Sequence, residues 1–290
     1  MTNSHTAAAA GQGYFQPGES IFKDTIAELT YGEVDAAIKR GAIALWGLGV
    51  IEQHGPHLPT GTDVYIPSAR LRIVKAMLAE KGIEALIVPP FYWGVNHVSA
   101  SFPASIRVRP EIMVEMMADV IESLERDGVH HVFCASGHGD ALHNKAIFDG
   151  VCKATRADGI QAAFVADKGM FARLGVPLEH PNALATMAEF PTKAAHFIDL
   201  HAGDWETSLM LALNPEVVRS EKLGDLAPTN LVAADLVEWR KGHDDARRVT
   251  PFGYFGDPAA AKAVRGVADI VREASLISEA IAERLAAQVR

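Results

Sequence analysis

Short apolar runs alternate with longer amphipathic stretches along the chain from residue 35 onward. This alternation is typical of βα units and predicts an α/β protein with a mostly parallel central sheet. The apolar runs that we interpret as strands are residues 42–48, 84–89, 131–136 and 161–166. The amphipathic stretches that follow them predict helices over residues 66–80, 110–127 and 141–157.

The second half of the chain has a less regular pattern. Residues 207–213 predict another helix, and residues 258–288 predict a long Ala-rich helix with a break near Gly266. Residues 220–257 mix polar, Gly and Pro positions and are most simply a solvated surface or a subunit contact. No internal repeat or low-complexity linker divides the chain, so we expect a disordered tail over residues 1–13 and a single domain over residues 14–290.

Composition narrows the class of function. The chain has 290 residues, of which 49% are hydrophobic, and a formal net charge of −9, so we expect no broad basic surface for nucleic acid or anionic lipid. No apolar stretch approaches the ~18 residues that a membrane helix needs, and the first residues lack the pattern of a signal peptide. The two cysteines have no metal-type or redox-type spacing and are expected to be reduced core thiols. We therefore expect a cytoplasmic protein that acts on a small molecule.

The first segment with chemical potential is residues 46–67, which begins at the carboxyl end of the first predicted strand. If the backbone is extended there, the side chains of Glu52 and His54 point to the same side. Asp63 would return on the following loop, which is rich in Gly and Pro. A mixture of imidazole and carboxylate ligands suits zinc, manganese or iron(II). His57, which follows Pro56, is more simply a hydrogen-bonding residue of the loop.

The second segment is residues 136–143, at the end of the third predicted strand. His138 and Asp140 repeat the two-residue spacing of an imidazole and a carboxylate. Gly137 and Gly139 beside them allow a close turn and the close approach of a ligand.

The third segment is residues 199–211, which supplies His201 and Glu206 ahead of a predicted helix. Glu206 could instead only complement the dipole of that helix, as an acidic residue in a first turn does. Three separate regions thus each supply a histidine and carboxylates. Any one such pair occurs often by chance, and their joint occurrence favours a metal site.

Aromatic and histidine residues outside these segments are candidates for the substrate pocket. Tyr92, Trp93 and Trp205 could form its walls, and each could equally belong to the core. His97 could line the pocket or simply cap a turn.

The runs EQHGPHLPTGTD, SGHGD and HAGDWETS resemble the three signature segments of the creatininase family of metal-dependent amidohydrolases, in the family order and with similar spacing. The run GVNHVSASFPASI resembles a weaker segment of the same family. The resemblance extends over roughly residues 25–215. It implies a three-layer α/β/α domain with a mostly parallel sheet, two divalent metal ions per chain (Zn, Mn or Fe), and a homo-oligomer, often a hexamer.

The resemblance also implies roles for the ligands. By position, Glu52 and His138 would hold one metal ion. His54 and Asp140 would hold the other, and Asp63 would bridge the two.

Further roles follow from the same resemblance. Glu206 is a rival ligand or a group that orients a ligand, and His201 would move protons at the scissile bond. Independently of the resemblance, the carboxylate of Asp140 or Glu206 could accept a proton from water. The residues expected to contact substrate are Trp205, Gly139, His97 and Trp93.

The pocket departs from that of creatininase-like sequences at three positions. Gly139 stands where these sequences carry an aromatic residue, and Ser136 and Ala141 stand where asparagine is frequent. We therefore expect a substrate other than creatinine, namely a small polar cyclic or linear amide whose C–N bond is hydrolysed. The alternatives are carbon–carbon hydrolysis of a cyclic polyol diketone of the inosose type and a non-catalytic metal-binding assembly protein.

Overall fold

The computed structural model describes residues 20–186 and 198–288. Five parallel strands form one sheet in the order β2-β1-β3-β4-β5. The strands are β1 (Ile43–Leu48), β2 (Ala85–Phe91), β3 (His131–Ser136), β4 (Gln161–Asp167) and β5 (Ala183–Thr186). The four predicted strands are confirmed, whereas the short β5 was not predicted. The predicted tail over residues 1–13 lies outside the described residues.

The described helices cover the sheet and its carboxyl edge. They are α1 (Tyr31–Lys39), α2 (Thr62–Glu80), α3 (Pro110–Arg126), α4 (Ala141–Ala154), α5 (Lys168–Leu174), α6 (Asp204–Leu213), α7 (Ala233–Trp239), α8 (His243–Val249) and α9 (Ala263–Gln288). None of these helices combines the length and apolar character needed to cross a membrane.

Side chains of neighbouring positions on β1 enter different cores, because successive residues of a strand point to opposite faces. Trp46 packs with Met113 and Ile147 in the layer formed by α3 and α4. Leu45 packs with Leu71 of α2, in the same cluster as Ile277 of α9, on the other face. The prediction of a three-layer α/β/α fold with a parallel sheet is confirmed.

Helix α2 begins four residues earlier than its pattern predicted, and this changes the position of Asp63. The hydroxyl of Thr62 donates to the carbonyl of Pro59 at 2.8 Å and fixes the start of the helix. Asp63 therefore lies in the first turn of α2 rather than on the preceding loop. The helix geometry holds its carboxylate at the carboxyl edge of the sheet.

The helix predicted over residues 258–288 is interrupted at residues 261–262, between a 3₁₀ helix (Pro258–Ala260) and the start of α9, and not at Gly266, through which α9 runs without interruption. A Cβ atom at Gly266 would lie 2.0 Å from the carbonyl oxygen of Ser208 in α6. The glycine therefore permits close packing of two helices, and does not end one of them. Helix α9 is also tied to α2 by an ion pair between Arg70 and Glu273, with an N···O distance of 3.0 Å.

Candidate metal centre

The three segments singled out in the sequence converge at the carboxyl edge of the sheet. The six residues Glu52, His54, Asp63, His138, His201 and Glu206 are all buried there. Glu52 and His54 lie on the segment after β1, and His138 lies directly after β3. In open parallel sheets this edge is where ligands bind.

Asp63 lies between the other groups. Its Oδ1 atom is 3.1 Å from Nε2 of His54, and its Oδ2 atom is 2.9 Å from Nδ1 of His138. Within the described residues, three groups of potential ligand atoms lie within 4.8 Å of one another: Glu52, Asp63 and His138; His54, Asp63 and Glu206; and Glu52, His54 and His201. One oxygen of Asp63 faces each of the first two groups, so this carboxylate can be shared.

The spacing of these atoms fits two ions. Ligands about 2.1 Å from a tetrahedral zinc ion lie about 3.4 Å from one another. The N···O separations in the cluster are 2.9–4.0 Å. Oδ2 of Asp63 is buried and accepts no hydrogen bond from the described residues, although Nδ1 of His138 lies 2.9 Å away. Unsatisfied buried atoms of this kind are costly unless an ion or water meets them.

The electrostatics of the cluster favour a cation. Burial lowers the pKa of His54, but the carboxylates of Asp63, Glu206 and Glu52 outweigh it and raise that pKa to about 10. The pKa of His138 is likewise raised, because Glu52 and Asp63 outweigh its burial. Carboxylates that hold protons on two imidazoles would equally stabilise a divalent ion in their place.

Glu206 differs from the other two carboxylates. Its Oε2 atom accepts a hydrogen bond from the backbone N–H of Ala202 at 2.5 Å and lies 3.7 Å from Nε2 of His54. Burial raises the pKa of Glu206 to about 7, despite the opposing charge of His54. The simpler interpretation of Glu206 was that it only complements the dipole of the helix in whose first turn it lies. Its carboxylate also reaches the cluster, so it can do more than that.

His201 presents one ring nitrogen to the cluster. Its Nε2 atom lies 2.9 Å from the backbone carbonyl oxygen of Gln53 and 3.1 Å from the side-chain Nε2 of the same residue; we assign the proton to His201 Nε2 because the carbonyl contact is the shorter and its oxygen can only accept. Its Nδ1 atom then carries the lone pair and lies 3.6 Å from Oε1 of Glu52. Burial and the charge of His54 lower the pKa of His201 to about 4, so the ring is neutral near pH 7.

Asp140 is placed close to the cluster but outside its three groups. Its carboxylate accepts hydrogen bonds from the backbone N–H of Leu142 at 2.7 Å, His97 at 2.9 Å and Val98 at 3.2 Å. It therefore caps α4 and holds the loop that contains His97. The structure brings His138 of the SGHGD segment into the cluster, and gives Glu206 the position beside His54 where Asp140 was expected.

Two glycines allow the backbone of Asp63 to approach the strand ends. A Cβ atom would lie 2.1 Å from the carbonyl oxygen of Asp63 if placed on Gly49, and 2.2 Å from it if placed on Gly137. Neither site tolerates a side chain without movement of Asp63. Gly139, in contrast, faces open space, with nothing within 4 Å of a Cβ at that position.

The residues predicted to contact substrate lie in different environments. The ring of Trp93 contacts Tyr92 and is 42% exposed, whereas Trp205 packs against an apolar cluster that includes Leu58. The Nε2 atom of His97 lies 2.9 Å from the carbonyl oxygen of Lys241. Gly139 is at an open position. The substrate contacts expected for Trp93, Trp205, His97 and Gly139 stay predictions.

Three residues beside the cluster were not predicted. Ser99 donates to Oε2 of Glu52 at 2.5 Å, and Gln53 Nε2 lies 3.1 Å from His201 Nε2. The ring centroid of Trp239 lies 5.8 Å from that of His201. Gln53 and Ser99 are inside two of the quoted runs, but no local spacing marks them. Trp239 lies in the segment interpreted as surface.

His57, as predicted, makes a hydrogen bond, to Thr207 Oγ1 at 2.9 Å.

A parallel α/β/α fold with imidazoles and carboxylates buried at its carboxyl edge is the architecture of a metal-binding hydrolase family. The sequence profile described as creatinine amidohydrolase matches residues 27–288, and the chain belongs to the creatininase family. The resemblance found in the sequence is thereby confirmed.

Three known proteins illustrate the similarity. The chain is 30% identical over 225 residues to the mycofactocin precursor peptide peptidase of Mycobacterium ulcerans, a match that covers 76% of each chain. It is 26% identical over 271 residues to the creatinine amidohydrolase of Pseudomonas putida, a match that covers 88% of this chain and 97% of the relative. A solved structure described as "Creatininase Mn" has the same fold, with a TM-score of 0.65 at 21% identity over 90% of this chain and 98% of the other.

Proposed function

We propose that this protein is a dinuclear metal-dependent hydrolase that cleaves the C–N bond of a small polar cyclic or linear amide. Glu52 and His138 would hold one divalent ion, His54 and Glu206 the other, and Asp63 both. The observation that carries the proposal is the position of Asp63, whose two oxygens face two different imidazoles at 3.1 and 2.9 Å. A shared carboxylate is how two ions are held about 4 Å apart in hydrolases.

The bound ions would supply two effects, which are a lowered pKa of water and polarisation of the substrate carbonyl. His201 would supply the proton transfer. Its Nδ1 atom faces the cluster, 3.6 Å from Oε1 of Glu52. The ring would take one proton as the water oxygen bonds to the carbonyl carbon and would deliver it to the leaving nitrogen as the C–N bond breaks.

The contacts around His201 suit this role. Its Nε2 atom lies 2.9 Å from the carbonyl of Gln53, which keeps Nδ1 directed at the cluster. Trp239 contacts its ring and restricts access of water from that side.

Hydrolysis of a C–N bond is favoured over cleavage of a carbon–carbon bond by the two relatives described above. One is described as a peptidase and the other as an amidohydrolase, and both names denote hydrolysis of C–N bonds. "Creatininase Mn" supports manganese as one candidate ion. Zinc and iron(II) suit the same ligands.

A substrate panel tests the proposal. Protein loaded with zinc or with manganese should hydrolyse one class among small linear amides, lactams and peptides, with about two ions bound per chain by elemental analysis. Chelation should abolish turnover, and adding the metal back should restore it. Turnover of cyclic diketones without release of an amine would favour the carbon–carbon alternative, and metal binding without turnover of any class would favour the non-catalytic one.

We also propose that the protein is a homo-oligomer. Helix α9 exposes Val264, Val267 and Val271, which share one face at helical spacing and are 77%, 53% and 42% exposed. Apolar side chains grouped in this way commonly mark an interface between proteins. Light scattering coupled to gel filtration should give a mass of several chains, a hexamer being the state implied by the family resemblance.

A further inference from the structure

The two carboxylate oxygens of Glu52 have different surroundings. The Oε1 atom lies 3.2 Å from Nδ1 of His138, 3.6 Å from Nδ1 of His201 and 4.0 Å from Nε2 of His54. The Oε2 atom instead accepts a hydrogen bond from the hydroxyl of Ser99 at 2.5 Å. One oxygen therefore faces the candidate metal centre, and the other is held by a serine to which the proposed function gives no role.

The single hydrogen of the Ser99 hydroxyl is directed to Glu52. Ser99 Oγ also lies 2.9 Å from Oδ1 of Asn96 and 3.0 Å from Oγ of Ser105. A hydroxyl has one hydrogen to donate, and the carboxylate is both the closest acceptor and the charged one. Ser105 Oγ accepts from the backbone N–H of Gln53 at 3.2 Å, so its own hydrogen is free to go to Ser99. Exchange of the two ends of the Asn96 carboxamide would let Nδ2, which is otherwise buried without a partner among the described residues, donate to Ser99 as well.

The loop that carries Ser99 is fixed on both sides of this residue. The backbone N–H groups of His97 and Val98 donate to the carboxylate of Asp140 at 2.9 and 3.2 Å. The backbone N–H of Phe102 donates to the carbonyl of Ser99 at 2.9 Å. Ser99 itself is 2% exposed, so water does not compete for its hydroxyl. The backbone therefore places this hydroxyl beside Glu52.

The hydrogen bond from Ser99 limits how Glu52 can bind an ion. A carboxylate binds a metal ion through one oxygen or through both. While Oε2 accepts from Ser99, Glu52 offers Oε1 alone. With one oxygen of Asp63 and one nitrogen of His138, the position then has three protein ligands. Catalytic zinc sites have three protein ligands and keep a fourth position open, so this set suits zinc.

Manganese prefers a different ligand set. Its sites are typically octahedral and rich in oxygen. Binding through both oxygens of Glu52 would add an oxygen ligand at this position, but it would break the hydrogen bond from Ser99. Loss of a hydrogen bond to a charged group is costly when the group is buried, and Glu52 is 1% exposed. Ser99 therefore opposes the binding mode that manganese would favour.

We propose that Ser99 is a positioning residue, which holds Oε2 of Glu52, limits this ligand to one oxygen and thereby favours zinc over manganese at the position shared with Asp63 and His138. The inference rests on the proposed function, since it concerns the same metal centre. It names the ion that one of the two proposed positions selects.

Metal affinities test the inference without an assay of turnover. Wild type, Ser99→Ala and Ser99→Gly are freed of metal and titrated separately with zinc and with manganese. Zinc binding is followed by competition with a chromophoric chelator, and manganese binding by the electron paramagnetic resonance of the free ion. Two variants are used so that the result depends on the missing hydroxyl and not on how one replacement packs.

The matched control is Ser101→Ala. The hydroxyl of Ser101 lies on the same loop but donates to the carbonyl of His243 at 2.9 Å. Its removal therefore costs the loop one hydrogen bond and leaves Glu52 with its partner. Circular dichroism of the metal-free proteins checks that each variant is folded.

We expect wild type to bind about two zinc ions per chain. Both variants of Ser99 should bind one of these ions about 10- to 100-fold more weakly, because Glu52 loses the partner that orients it. The other zinc ion should keep its wild-type affinity. Manganese affinity should change by less than about threefold, because the freed Oε2 atom supplies an additional oxygen ligand. Ser101→Ala should match wild type for both metals.

Equal weakening of both zinc ions, equal weakening of zinc and manganese, or the same loss in Ser101→Ala would overturn the inference and leave the metal centre standing. Unchanged zinc affinity in both variants of Ser99 would do the same. If the variants behave as expected but no amide is hydrolysed, the role of Ser99 stands and the proposed hydrolysis fails. A wild-type protein that binds no zinc would refute the metal centre and this inference together.

Discussion

The Nε2 atom of His54 lies 3.1 Å from Oδ1 of Asp63, and both side chains are buried at the carboxyl edge of the sheet. Because the other oxygen of Asp63 faces His138, one carboxylate connects both proposed metal positions. We expect Asp63→Asn to lose both ions and Glu206→Gln to lose one. Elemental analysis after dialysis at neutral pH measures this directly.

A control for these two variants is Asp158→Asn, an exposed carboxylate between α4 and β4. It should keep about two ions per chain. Two ions retained by Asp63→Asn would contradict the assignment of the shared ligand. If Glu206→Gln retains both ions, Asp140 is again the candidate for the ligand beside His54.

His201→Asn separates proton transfer from metal binding. The Nδ1 atom of the imidazole lies 3.6 Å from Oε1 of Glu52, and the ring packs against that of His54 with 4.4 Å between the ring centroids. We expect kcat to fall by about 10²–10⁴-fold while metal content stays at the wild-type value. Steady-state kinetics and elemental analysis on the same preparation check both parts. Loss of an ion in this variant would show that His201 is a ligand, as its grouping with Glu52 and His54 permits.

Gly137→Ala tests the close approach of the backbone at Asp63. The added Cβ atom would lie 2.2 Å from the carbonyl of Asp63, so the first turn of α2 must move. We expect a loss of about 1–3 kcal/mol in the free energy of unfolding, measured by urea denaturation, and weaker metal binding. The matched control is Gly32→Ala within α1, where nothing lies within 4 Å of the added Cβ. Alanine is the better helix former, so this variant should be slightly more stable than wild type.

Much of the fold is predictable from local patterns. The strands β1 to β4 are continuous apolar runs, because a central parallel strand is buried on both faces. Strand β5 has only four residues, Ala183–Thr186, and its burial depends on packing against β4 and α9, which no local pattern encodes. Gly266 illustrates the same limit, since its close contact with Ser208 is tertiary.

The site divides in a similar way. Glu52, His54, Asp63 and His138 are recognisable from their spacing, because one segment after β1 carries three of them. The choice between Asp140 and Glu206 as the ligand beside His54 cannot be recognised from spacing. It depends on where the backbone N–H groups of residues 97 and 98 lie, because these groups donate to Asp140. Trp239 comes from a distant segment and reaches His201 only through the tertiary fold. The single domain over residues 14–290 and the cytoplasmic location stay predictions.

Glu273→Gln tests the buried ion pair between α9 and α2. Arg70 donates from Nη1 to Glu273 at 3.0 Å and from Nη2 to the carbonyl of Ser136 at 2.6 Å, so the pair braces the strand that leads to His138. Burial raises the pKa of Glu273 above its ordinary value, despite the opposing charge of Arg70. The folded protein therefore holds the proton of this carboxyl more tightly than the unfolded chain.

The sign of the pH dependence follows. The stabilising contribution of protonated Glu273 is fully present below about pH 4 and is lost as the pH rises through the raised pKa. The amide introduced by Glu273→Gln does not titrate, so the unfolding free energy of the variant minus that of wild type should increase with pH. The increase should reach about 1.4 kcal/mol for each unit that separates the folded and unfolded pKa values. Urea denaturation between pH 4 and pH 8 measures it, with the exposed Glu279→Gln on the same helix as a control for the substitution itself. A variant that becomes less stable relative to wild type as the pH rises would mean that the attraction of Arg70 exceeds the cost of burying the charge.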